Sequence, residues 1–222
     1  MFGMSNTMPK RAQTTAAPLI PLKPTIRKLR EAAADCRACD LWKTGTQTVF
    51  GEGEGAKPRV MFVGEQPGDQ EDIQGHPFVG PAGKLLDKAL EEAGIQRKDI
   101  YVTNAVKHFK WEPRGKRRIH KKPNSMEITA CKPWIEAEID VLHPDVLVCL
   151  GATAAQSLLG REFKVSTQRG MWVQSPLAPF VMATVHPSSL LRAPDEETRR
   201  REMQRFIEDL KLVHKALDQR AA

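Results

Sequence analysis

Three kinds of residue in this chain could do chemistry: scattered cysteines, a few histidines and one dense run of cations. Cys36 and Cys39 form a C-x2-C pair, and Cys131 and Cys149 follow far downstream. Thiolates are ligands for zinc and for iron–sulfur clusters. A redox C-x2-C opens a helix after a strand, whereas this pair follows a predicted helix. A zinc ribbon shows two close pairs, and here the second pair is spread out. Cys36, Cys39, Cys131 and Cys149 therefore suit a [4Fe–4S] cluster slightly better than zinc. Cys131 and Cys149 as plain buried cysteines is the reading that stands beside it.

The run KHFKWEPRGKRRIHKK, Lys107 to Lys122, holds eight Lys or Arg and one Glu. That excess equals the formal net charge of +7, so the basic character of the protein is local. Lys107, Lys116, Arg117, Arg118 and Lys121 are candidate DNA contacts, because cations on phosphate supply much of nucleic-acid affinity. Phe109 and Trp111 offer stacking, and His120 offers proton or nucleophile chemistry. A solvated basic loop is the plain alternative. Upstream, Gly64, Pro67 and Gly68 in GEQPG permit a tight turn and close approach of a ligand to Glu65 and Gln66.

The elements that must position these groups follow from patterning. The 222 residues, 41% hydrophobic and 27% charged, suit one soluble domain. No apolar run approaches the ~20 residues of a membrane span. Without an apolar signal segment, the expected compartment is the cytoplasm, at the nucleoid. Residues 1–24 read as a mobile extension with Met4 or Met8 as alternative starts, 25–218 as the domain, and 219–222 as a tail. Helices are predicted at 25–35, 81–94, 125–142, 152–160 and 194–218. Buried strands are predicted at 59–64, 100–106, 145–150, 171–174 and 180–185, with loops over 40–58 and 69–80. Asn124 and Glu127 make a cap pair. Alternating strands and helices predict an α/β fold, a single domain with a mostly parallel central sheet flanked by helices. GEQPG, Asn104, the basic run and HPSS (186–189) then share one rim, at the carboxyl ends of the strands where such sheets bind ligands.

In this order the segments resemble the uracil-DNA glycosylase superfamily, its iron–sulfur family 4 branch, and within that the UdgX group. The resemblance rests on Cys36-x2-Cys39, GEQPGDQED (64–72), PFVGPAGKLLD (77–87), Asn104 in TNAVKHF, KRRIH (116–120), Cys131, Cys149 and HPSSLLR (186–192). Gln66 where family 4 carries alanine, together with the KRRIH segment, marks the UdgX group. The resemblance implies a base-excision repair enzyme that removes uracil from DNA and then stays bonded to C1′ of the abasic sugar through His120. It implies that Glu65 activates His120, that Gln66 lines the base and sugar pocket, and that Asp69 and Asp72 hold the base or the basic run. It further implies that Phe78 stacks on uracil, Asn104 reads it and His186 faces O2. Ser188 and Ser189 are implied phosphate contacts. The [4Fe–4S] cluster would be structural, the partner uracil-containing DNA, preferably single-stranded, and the acting unit a monomer. Two alternatives stay open: a turnover glycosylase using water, and a non-catalytic iron–sulfur or zinc protein that binds DNA.

Overall fold

The computed structural model describes residues 15–55 and 57–219. Met4, Met8 and most of the expected C-terminal tail lie outside the described residues.

Four short apolar segments form the centre of the sheet: β2 (Val60–Gly64), β3 (Ile100–Asn104), β6 (Val146–Leu150) and β7 (Phe180–Thr184). They pair in parallel, and a two-residue edge strand, β1 (Glu52–Gly53), joins β3 antiparallel, giving the order β1-β3-β2-β6-β7. Near-continuous burial of these strands is what a sheet covered on both faces requires. One face packs on α3 (Pro81–Glu92) and α8 (Glu196–Gln219), with Phe62, Leu86, Leu90, Phe206 and Leu210 in contact. The other packs on α4 (Ser125–Leu142) and α5 (Ala152–Leu159), through Met61, Val63, Ile135, Ile139 and Ala154. A third layer lies outside α4, where α1 (Ile26–Ala33) buries Leu29 and Ala33 against Trp134 and Cys131.

Local chemistry explains several boundaries. Thr25 caps α1 by accepting from Lys28 N. At α4, Glu127 N donates to Asn124 Oδ1 at 2.9 Å and Asn124 N donates to Glu127 Oε2 at 2.7 Å, a reciprocal capping box. Among the described residues no helix is long and apolar enough to cross a membrane.

Four expectations need correction. The stretch read as loop over 69–80 opens with α2 (Asp69–Gln74), too short to show an apolar period. The basic run is a hairpin, β4 (Trp111–Arg114) with β5 (Arg117–His120). Its two-residue turn places Gly115 at φ +60°, as a turn with glycine first requires. Residues 171–174 are no strand: only a Trp172–Met182 bridge forms, and this segment covers the edge of β7 through Val173 N to Val181 O. Finally, the 15–24 part of the expected extension is anchored at one point, though most of its residues are exposed. Ala16 is fully buried and its amide donates to Ala130 O at 2.9 Å.

Because the four central strands run in parallel, their carboxyl ends deliver residues 65–68, 105–110, 151–153 and 185–189 to one rim of the sheet.

Candidate active site

That rim encloses a cavity of about 980 Å³. Gly64, the last residue of β2, lies next to three of the side chains that line it. A Cβ at this position would meet Asn104 Oδ1, Phe78 Cζ at 2.8 Å and His186 Nε2 at 3.4 Å. Three side chains thus converge on one backbone atom, and only glycine leaves room for them and for a flat ligand above. Phe78 sits at φ +58°, an uncommon conformation for a bulky residue. Glu71 secures the segments around it, accepting from Gly80 N at 2.8 Å and Gly68 N at 3.1 Å. The Phe78 and His186 rings stack at 6.0 Å between centroids.

His186 caps α7 (Pro187–Leu190), and its Nδ1 accepts from Ser188 N at 3.1 Å. That bond places the ring proton on Nε2, the nitrogen turned toward Gly64. Burial, helped by Arg192 and His120, pulls its pKa down to about 4, so the ring is a neutral N–H donor at neutral pH.

His120 ends β5, with its side chain 49% exposed and Nε2 3.4 Å from Glu65 Oε1. Burial lowers its pKa; Glu65 opposes the shift and Arg192 adds to it. The other Glu65 oxygen accepts from Thr153 Oγ1. Thr153 was not legible in the sequence. Its signal is slight: a hydroxyl two residues past Gly151, where a strand end turns into α5.

Gln66 lines the cavity, and its amide is engaged with the hairpin. Nε2 donates to Lys110 O and Lys121 O, both at 3.1 Å, and Oε1 accepts from Lys110 N at 3.1 Å. It therefore fastens the two ends of the hairpin together, directly beside His120.

Burial and pairing sort the remaining expected contacts: of the two places offered for Asp69 and Asp72, the base or the basic run, they lie with the basic run. Asp69 lies outside the cavity and binds Arg118 at 2.6 Å. Asp72 is fully buried, holding Arg118 at 2.6 Å and Thr46 N at 2.9 Å. Arg118 also lies over Phe109 and Trp111, so it is a hairpin anchor and not an open phosphate site. Lys107 is 1% exposed and ion-paired with Glu138, hence out of reach of DNA. Lys121 pairs with Glu112 on the surface at 2.5 Å. Lys116 and Arg117 are exposed at the hairpin tip. Ser188 and Ser189 line the cavity, and Ser188 Oγ accepts from Arg192 Nη1 at 3.2 Å.

The cysteines divide. Cys36, Cys39 and Cys131 neighbour one another in the layer between α1 and α4. Burial pushes the Cys131 thiol up to about 12, and Cys39 and Cys36 add to the effect. Trp134 Nε1 donates to Cys36 Sγ at 3.4 Å, and Lys107 N donates to Cys131 Sγ at 3.3 Å. Cys149 sits apart, packed against Met61, Ile135 and Ala154 between the sheet and α4/α5. The expected set of four is therefore not brought together. Among the described residues, no three His, Cys, Asp or Glu side chains converge at metal-ligand distance. Three thiols with N–H donors on two sulfurs nevertheless match in type what an iron–sulfur cluster uses.

A family model described as the uracil DNA glycosylase superfamily matches residues 50–211. The chain is 40% identical over 171 residues to a type-4 uracil-DNA glycosylase of Thermotoga maritima, covering 77% of this chain and 85% of that protein. It is 36% identical over 179 residues to the type-4 enzyme of Sulfurisphaera tokodaii, covering 77% and 78% respectively. To the type-4 enzyme of Pyrobaculum aerophilum it is 39% identical over 176 residues, covering 76% and 86%.

Proposed function

This chain belongs to the uracil-DNA glycosylase superfamily, and from that premise we propose that it excises uracil from DNA and then captures the abasic sugar covalently through His120. The observation that carries the second half is the placement of a neutral imidazole in the same cavity as the base-reading groups, 3.4 Å from a carboxylate.

The base must leave the stack, or arrive on a single strand, to enter the cavity. Phe78 offers it a face. Asn104 can accept from uracil N3–H while donating to O4, and cytosine presents the opposite pattern on that edge. As the C1′–N1 bond breaks, its electron pair leaves with the base, and charge gathers on O2. The Nε2–H of His186 is preset to donate there, as an oxyanion-hole donor does. Its pKa of about 4 keeps His186 a neutral N–H donor throughout the neutral range.

The sugar is left as an oxocarbenium-like cation. The His120 nitrogen that carries the lone pair bonds to C1′, and the imidazole becomes a cation. Its remaining N–H proton passes to Glu65 or to water, leaving a neutral alkylated ring. Thr153 steadies the Glu65 carboxylate by donating to its second oxygen. Gln66 steadies the hairpin that carries His120.

DNA would approach over Lys116, Arg117, Ser188 and Ser189, with a single strand favoured because no pair need be broken. Cys36, Cys39 and Cys131 would hold an iron–sulfur cluster, tying the end of α1 to α4. Such a cluster supplies a structural cross-link here, since excision and capture are substitutions without net electron transfer.

The test is a denaturing gel. Incubation with a labelled single strand containing one uracil should give a band that survives boiling in detergent, absent with a uracil-free strand. Alkali-labile abasic product without that band would mean that water is the nucleophile. Neither product would leave only DNA binding.

A further inference from the structure

Lys107 and Glu138 form a buried ion pair that the excision chemistry does not use. The ammonium and carboxylate are 2.5 Å apart, with side chains 1% and 0% exposed. Lys107 Nζ also donates to Thr103 Oγ1 at 2.6 Å and to the backbone carbonyl of Asn104 at 2.9 Å. An ammonium has three protons, and each has a partner. Glu138 in turn accepts from Tyr101 OH at 2.8 Å and Thr103 Oγ1 at 3.0 Å. The cluster thus fastens β3 to the C-terminal part of α4.

Stability alone does not require such a pair. A buried ion pair can often be replaced by apolar side chains of like volume with no loss of stability. What the pair adds is geometry. The peptide between Asn104 and Ala105 is held at both ends: Ala105 N donates to Gly64 O at 2.9 Å, and its carbonyl accepts from Lys107. A planar peptide pinned at two points fixes ψ of Asn104. It thereby fixes the direction in which the carboxamide leaves the strand, toward the cavity above Gly64.

We propose that Lys107 and Glu138 are positioning residues for Asn104, setting the orientation of the carboxamide that distinguishes uracil. This rests on the excision reading above and adds its base-recognition support. The amide of the same Lys107 donates to Cys131 Sγ, so the device also adjoins the cysteine layer.

The experiment measures single-turnover uracil release and affinity for a uracil-free strand. It uses the wild type, Lys107→Met, and a compensated variant, Lys107→Met/Glu138→Leu/Tyr101→Phe/Thr103→Val, in which every side chain of the cluster is apolar. Lys107→Met should melt earlier and release uracil about tenfold more slowly or worse, since small misplacements of a recognition group cost that much. Its affinity for uracil-free DNA and the salt dependence of that affinity should match the wild type. The compensated variant should regain thermal stability but not the rate, because the Asn104 carbonyl stays unpinned. Recovery of the rate along with stability would overturn the proposal and leave a structural role only. Loss confined to DNA affinity, with a shallower salt dependence, would overturn it in favour of a phosphate contact. Absence of release by the wild type would instead defeat the excision reading itself.

Discussion

Two histidines share the cavity and serve opposite ends of the breaking bond because their environments differ. His186 has its Nδ1 occupied by Ser188 N and presents a proton; His120 faces Glu65 and keeps a lone pair. His120 can react only when neutral, and both rings are held below the ordinary value of 6.5, His186 as far as about 4. The sign follows directly. Acid protonates His120 and removes its nucleophilic pair, while His186 remains a neutral donor until pH nears about 4. Capture should therefore be constant from neutral pH upward and fall as pH drops below the ordinary histidine range. Uracil release should persist further into acid, so abasic DNA accumulates there at the expense of adduct. Quantifying free uracil and adduct across pH checks this; parallel decline of both would contradict it.

At the scale of elements, the hairpin and the α1–α4 layer carry the arguments. Gln66 joins the two ends of the hairpin through three hydrogen bonds to Lys110 and Lys121. Gln66→Ala leaves those backbone groups without that partner, and each such loss costs about 1–3 kcal/mol when buried. His120 should then be less well placed, and the ratio of adduct to abasic product should fall while uracil release changes little. The cysteines give a second test. Cys149→Ala should keep its iron and visible colour, whereas Cys131→Ala should lose both; iron assay and absorbance read this out. The sequence could not have made that distinction. Strand alternation says that Cys149 faces one side of the sheet, but not which layer collects the other thiols. Cys131 lies on the α4 flank shared with Trp134, turned toward α1, while Ile135 and Ile139 take the sheet side. The strands were legible, because apolar runs of about five residues with polar rims mark a parallel sheet; Asn104 ends its strand, two residues earlier than the predicted 106, and Glu65 and His186 fall just beyond theirs. Lys107 was not legible: within a run of cations nothing local reveals that one of them turns inward to Glu138. Thr153 was hidden likewise, in a short helix of ordinary composition.

Over the whole molecule, the charge excess is smaller in effect than in number. Of the eight cations in the basic run, Lys107, Lys110, Arg118 and Lys121 are ion-paired to Glu138, Glu127, Asp69 and Asp72, and Glu112. Arg114, Lys116, Arg117 and Lys122 are left exposed. Each phosphate contact on a single strand contributes about −0.7 to the slope of log affinity against log salt, so four contacts give about −3 and eight give about −6. A salt titration with a uracil-free strand should give the shallower slope from this run. Lys110 and Arg118 instead hold the hairpin over the sheet rim, through Glu127 and through Asp69 and Asp72. The same pairs hold the hairpin whose last residue is His120.

The most direct test of the account is the intact mass of the protein after reaction with a short single strand containing one uracil, followed by mapping of the modified peptide. The account expects a species equal to protein plus oligonucleotide minus one uracil, with the sugar on His120, and no such species from His120→Ala although that variant still releases uracil. Free abasic strand with unmodified protein, or an adduct on another residue, would contradict it.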